Sequence, residues 1–150
     1  MIMLLSVMML SRLYIMEDVP QMILRVMTSV TDNTILLILM VNLFLIIIGM
    51  LMDDTSAILL TTPILLPVVI ALGVDPVHFA AILGVNLGLG CVTPPTAPFL
   101  YLGSRIGNAP INEMMGPTMW FIVFAWLPTL AVTTFFPGLS LWLPSMFGFI

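Results

Sequence analysis

The sequence has 150 residues, of which 61% are hydrophobic and 7% charged, with a net charge of −4. A chain of this size cannot hide so much apolar surface from water, which excludes a soluble globular domain. Its basic residues, Arg12, Arg25 and Arg105, form no patch able to neutralise phosphates, which excludes nucleic-acid binding, and they are too few to orient the chain across a bilayer.

Several apolar runs approach the roughly 20 residues that cross a bilayer, so an all-α integral membrane protein is expected. Residues 1–16 come first. Met1–Leu10 lacks a basic start, and no small-residue cleavage site precedes Arg12. The segment therefore reads as the end of a preceding membrane helix rather than a signal peptide. Glu17-Asp18-Val19-Pro20 then opens a helical stripe of Val19, Met22, Ile23, Val26, Met27 and Val30. Glu17 or Asp18 near the N-terminus and Pro20 in the first turn suit a helix start. Residues 17–31 are too short and polar to span, and fit a helix lying in the headgroup region.

Thr34 to Leu72 is predominantly apolar, with a polar centre at Asp53-Asp54-Thr55-Ser56. Two ordinary spans with a wet turn fit this pattern. So does a re-entrant hairpin whose tip stays inside the protein, where polar backbone is allowed only if buried or lining a cavity. Pro63 and Pro67 predict kinking in the returning arm. Gly73 should close that helix, Asp75 cap the next, and Pro76 occupy its first position.

Residues 76–106 read as a membrane helix interrupted at its middle. Gly88-Leu89-Gly90 precedes Thr93-Pro94-Pro95-Thr96, and proline lacks the donor a helix needs. Backbone groups freed at membrane depth cost several kcal/mol each unless protein, water or ligand satisfies them. Gly107-Asn108-Ala109-Pro110 predicts a loop. A last span covers 115–136, carries Pro128 and ends at Pro137-Gly138. Trp142 suits an interfacial anchor, and Trp120 and Trp126 belt or packing roles.

The polar tip and the broken helix together offer carboxylates (Asp53, Asp54), hydroxyls (Thr55, Ser56, Thr93, Thr96), the Asn86 amide and carbonyls around Gly88 to Val92. Such hard oxygen donors suit a cation like sodium rather than zinc or copper. A half-helix starting near Pro95 would turn its positive end to the same place and favour an anion. A cation site beside an anion site is what a sodium-coupled carrier of carboxylates requires. Each residue also has a plainer reading. Asp53 and Asp54 can be solvated caps, and Asn42 an interhelical bond. Gly88 and Gly90 can simply permit close packing. His78 fits a structural role better than a proton relay. The lone Cys91 leaves no intrachain disulfide or thiol metal cluster and fits a small buried hydrophobe.

Gly49-Met50-Leu51-Met52-Asp53, Thr62-Pro63-Ile64-Leu65-Leu66-Pro67 and Gly73-Val74-Asp75-Pro76-Val77-His78-Phe79 resemble the large membrane subunit of TRAP (tripartite ATP-independent periplasmic) transporters. So do Asn86-Leu87, Gly90-x-x-Thr93-Pro94-Pro95 and the closing Phe136-Pro137-x-Leu139-Ser140-Leu141-Trp142-Leu143-Pro144. The resemblance implies the C-terminal repeat of an elevator-type secondary transporter in a bacterial inner membrane. It implies import of an organic acid, such as a C4-dicarboxylate, a sialic acid or a 2-oxoacid, coupled to sodium. Its partners would be a periplasmic substrate-binding protein, a small four-helix membrane subunit and the N-terminal half of the large subunit. By the likeness, 34–72 is a re-entrant hairpin, 76–106 the repeat's broken helix, and 17–31 an arm helix between scaffold and moving domain. The candidate sodium and substrate site comprises Gly49, Asp53, Asp54, Thr55, Ser56, Asn86, Gly88, Gly90, Thr93, Pro94, Pro95 and Thr96. Asp53, Ser56 and Thr93 are candidate sodium ligands, and no other cofactor is implied.

The chain departs from the family pattern at three points. Asp54 stands where the family commonly has Thr, and Thr96-Ala97 where it often has Val-Gly. The length corresponds to one repeat, so a truncated or split half acting only in assembly is the alternative expectation. An intramembrane aspartyl protease does not fit: Gly88-Leu89-Gly90 is followed by Cys91 rather than Asp, and the adjacent Asp53 and Asp54 cannot come from facing helices.

Overall fold

In a computed structural model, residues 2–31, 33–93 and 97–148 are described; Pro94, Pro95 and Thr96 lie outside them. The described residues form helices and connecting turns: α1 (Ile2–Met16), α2 (Val19–Val30), α3 (Thr34–Leu51), α4 (Asp54–Ala71), α5 (Pro76–Val92), α6 (Pro98–Gly107), α7 (Ile111–Phe121), α8 (Leu127–Phe135) and α9 (Pro137–Met146). A π-helical segment, Ile122–Trp126, joins α7 to α8 without a break. α3, α4 and the continuous Ile111–Phe135 helix are long and apolar enough to cross a membrane, with mean hydropathies of 2.9, 1.7 and 1.6.

Helix ends follow local chemistry. Asn33 caps α3 by accepting the Ile35 N–H (3.0 Å). Between α4 and α5 the Gly73 N–H bonds the Ile70 carbonyl and the Val74 N–H the Val69 carbonyl. Gly73 takes φ 82°, a left-handed geometry that suits glycine. Asp75 Oδ1 then accepts from Val77 (2.8 Å) and His78 (3.4 Å), with Pro76 at the first helical position. Asp18 differs from expectation: it sits before α2 with φ 52°, and its side chain makes no capping bond. Only part of the α2 stripe is covered. Met27 is buried, while Met22, Val26 and Val30 stay exposed. The last long helix begins at Ile111 and ends at Phe135, just before Pro137-Gly138 as expected; Pro137 then also opens α9, because its fixed φ suits a first turn.

α4 remains one helix through Pro63 and Pro67. Pro63 has no N–H for the Leu59 carbonyl one turn back. Ser11, buried on α1, fills that vacancy: its hydroxyl donates to Leu59 O at 2.8 Å. The core gathers Leu37, Val41 and Leu45 of α3, Leu65 and Val68 of α4, and Phe79, Ile82 and Leu87 of α5. α3 and α5 share the most extensive interface. At its end Gly49 and Gly90 face one another. A Cβ on Gly90 would overlap the Gly49 backbone, and one on Gly49 would stand 3.1 Å from the Leu87 Cα. Two backbones can approach this closely only where both residues lack side chains.

Candidate functional site

Two turns of chain converge where α3, α4 and α5 end or begin. The first is the tip Met52-Asp53 between α3 and α4. Asp53 is extended (φ −71°, ψ 153°), and its Oδ2 accepts the Ser56 N–H at 3.1 Å, satisfying one orphan donor of α4. Asp54 follows in the first turn, where a carboxylate opposes the helix's positive end favourably. Ser56 is buried; Asp53 and Thr55 are exposed. The second is the C-terminus of α5. Thr93, extended, returns its N–H to the Leu89 and Gly90 carbonyls (both 3.1 Å), and its hydroxyl donates to Leu89 O at 2.7 Å. The Thr93 oxygen keeps its lone pairs for an acceptor role.

Two contacts hold these turns together. One is the Gly49–Gly90 backbone crossing. The other is a hydrogen bond from the Cys91 thiol to Asp54 Oδ1, 2.8 Å long. The Asp54 carboxylate is thereby held against the last turn of α5, with Asp53, Thr55 and Ser56 beside it in the chain. Beyond the break α6 begins at Pro98 rather than near Pro95. Its N-cap, Ala97, is buried with φ 33° and ψ 56°, and makes no side-chain cap. A residue with a Cβ is uncommon in that conformation.

The remaining candidates stand elsewhere. Gly88 packs against the Trp126 ring. Asn86 lies two turns below Thr93, fully buried, in a polar chain that the sequence reading did not assemble. Its Nδ2 donates to Asn42 Oδ1 (2.7 Å) and to the Ile82 carbonyl (2.8 Å). Asn42 Nδ2 donates to Thr134 Oγ1 (3.1 Å). The Thr134 carbonyl lies 3.2 Å from His78 Nε2, and Ser140 Oγ 3.3 Å from His78 Nδ1. A carbonyl only accepts, so Nε2 carries a proton, and Nδ1 faces the Ser140 hydroxyl. Asn86 Oδ1 is left without a partner among the described residues. This chain ties α3, α5, α8 and α9. Its signal in the sequence is the amides themselves, Asn42 and Asn86 standing inside apolar runs.

The family model described as the tripartite ATP-independent periplasmic transporter DctM component matches residues 1–139. The isethionate TRAP transporter permease protein DctMQ of Oleidesulfovibrio alaskensis is 41% identical over 125 residues, covering 83% of this chain and 20% of that protein. The sialic acid TRAP transporter large permease protein SiaM of Vibrio cholerae is 35% identical over 131 residues, 87% of this chain and 30% of that protein. The C4-dicarboxylate TRAP transporter large permease protein DctM of Pseudomonas aeruginosa is 32% identical over 133 residues, 88% of this chain and 31% of that protein. The chain thus spans less than a third of the length of these relatives. No solved structure gives a significant match.

Proposed function

Because the chain belongs to the DctM component family of tripartite ATP-independent periplasmic transporters, we propose that it is the C-terminal repeat of a large permease subunit importing an organic acid with sodium. The acids named for its relatives, isethionate, sialic acid and C4-dicarboxylates, share an anionic head on a small polar body. The observation that carries the reading is the joining of the Asp53–Ser56 tip to the Gly90–Thr93 end of an interrupted helix. The tip is held against the end of an interrupted helix instead of standing free as a wet turn would, which supports a re-entrant hairpin over two separate spans. Sodium would sit among Asp53, Ser56 and Thr93, with the substrate's anionic group towards the break and the N-terminus of α6. A periplasmic binding protein would deliver the acid. A small membrane subunit and the N-terminal half of the large subunit would complete the transporter in a bacterial inner membrane, with this chain threading the bilayer several times and moving as part of an elevator.

Uptake by the complete complex in proteoliposomes tests this. Asp53→Asn keeps the α4 cap, since Asn caps as well as Asp, so stability should stay within about 0.5 kcal/mol. Its loss of charge should lower sodium-dependent uptake at least about tenfold, because charged partners dominate cation binding. Unchanged sodium dependence in Asp53→Asn and Asp53→Ala would remove Asp53 from the site. A second reading is a half-subunit active only in assembly. Co-purification with a separate N-terminal half, without sodium-dependent uptake by the pair, would favour it.

A further inference from the structure

Trp126 is the last residue of the π segment, a rare form that widens the helix and redirects the side chains after it. The Leu127 N–H reaches back five residues to the Ile122 carbonyl, and Pro128, lacking an N–H, does not restore the α register behind it. Three contacts hold the indole that this segment presents, two of them with α5. Its Nε1–H donates to the Val85 carbonyl at 3.0 Å. Its six-membered ring lies over Gly88, where a Cβ would stand 3.1 Å from Cζ2 and 3.7 Å from Cη2. The Phe121 ring meets it edge-on, centroids 5.9 Å apart at 75°.

The docking point leads directly to the candidate site. Leu89, next to Gly88, is buried beside Ile122 and Leu130, with Trp126 packed against that cluster. The Leu89 carbonyl is the group that holds both the N–H and the hydroxyl of Thr93. A cleft of about 250 Å³ bordered by Val85, Phe121, Ala125, Trp126 and Thr129 leaves the indole room to move off its seat.

We propose that Trp126 is a positioning residue for Thr93: seated on Gly88 and bonded to Val85, its indole fixes the last two turns of α5 and so where the Thr93 hydroxyl stands relative to the Asp53–Ser56 tip. Its consequence for uptake rests on the permease reading; its effect on α5 does not. The test uses Trp126→Phe, Gly88→Ala and the double variant in the complete large subunit with its membrane partner. Phe lacks the outer ring that carries Cζ2, so it makes room for the alanine methyl. Hydrogen exchange is followed over residues 89–93 and over α1–α2, and sodium-dependent uptake in proteoliposomes.

Each single variant should lose protection over 89–93 by about threefold to tenfold, the scale of one hydrogen bond and its packing, with α1–α2 unchanged. The sodium concentration for half-maximal uptake should rise by a similar factor at a nearly constant maximal rate. The double variant should recover towards Trp126→Phe relative to Gly88→Ala. Equal loosening of every helix, no change over 89–93, or additive damage in the double variant would overturn the proposal. Absence of sodium-dependent uptake in the unmodified complex would count against the permease reading instead, and exchange over 89–93 would still decide the role of Trp126.

Discussion

Among the described residues Ala97 carries the clearest local cost. A left-handed φ of 33° places its Cβ against the neighbouring carbonyl, at about 1–2 kcal/mol for an ordinary L-residue. Glycine removes that cost, so Ala97→Gly should stabilise the protein by about 1 kcal/mol, read as a higher midpoint on thermal unfolding in detergent. An unchanged or lower midpoint would show that the methyl group, 2% exposed, contributes packing that offsets the strain. Asp53 shows a second lesson at this scale. Its capping and its candidate ligand role are not rivals, since one oxygen accepts the Ser56 N–H while the carboxylate remains exposed.

Between elements, proline and glycine decide the packing. Ser11→Ala should cost about 1–3 kcal/mol, because the half-buried Leu59 carbonyl loses its donor. In a Pro63→Ala background the residue 63 N–H serves that carbonyl, and the same change should cost only about 0.5 kcal/mol; equal costs in both backgrounds would break the link. Gly90→Ala, overlapping the Gly49 backbone, should destabilise by about 3 kcal/mol. Gly84→Ala, exposed on the same helix with nothing nearby, should stabilise by about 0.5–1 kcal/mol. Helix unfolding in sodium dodecyl sulfate titrations compares the two.

Much of this level is legible in residue order. The Gly73-Val74-Asp75-Pro76 punctuation, the α2 stripe and the interruption after Thr93 all rest on short-range chemistry. Three things do not. The donor that serves the Leu59 carbonyl behind Pro63 is a hydroxyl from another helix, far away in the sequence. Pro137 ends the last span as its position suggests, but that it also starts α9 is not written in its neighbours. The π segment has no local signature that separates it from the surrounding apolar helix, so the docking of Trp126 appears only in three dimensions.

At the scale of the molecule, a polar chain runs through an apolar body. Asn42, Asn86, Thr134, His78 and Ser140 connect four helices, and a polar group stranded in such surroundings is expensive. Asn42→Ala removes two of these bonds and should cost about 1–2 kcal/mol, measured by the same denaturant titration. A cost near zero would mean that water or lipid replaces the bonds. Large apolar side chains, among them Leu43, Phe44, Ile47, Trp120 and Phe124, remain exposed around this body and require lipid or further protein against them. The sequence identifies the apolar class and the polar tip from composition and position. Which tip oxygen meets which helix end depends on the Gly49–Gly90 crossing, a long-range contact between two residues without side chains to advertise it.

The left-handed alanine has a consequence at the level of the gene. Alanine and glycine codons differ only in their middle base, so relief of the strain at position 97 is one transversion away. A mutagenised population selected for heat tolerance should reach that change early, before any solution that requires two substitutions.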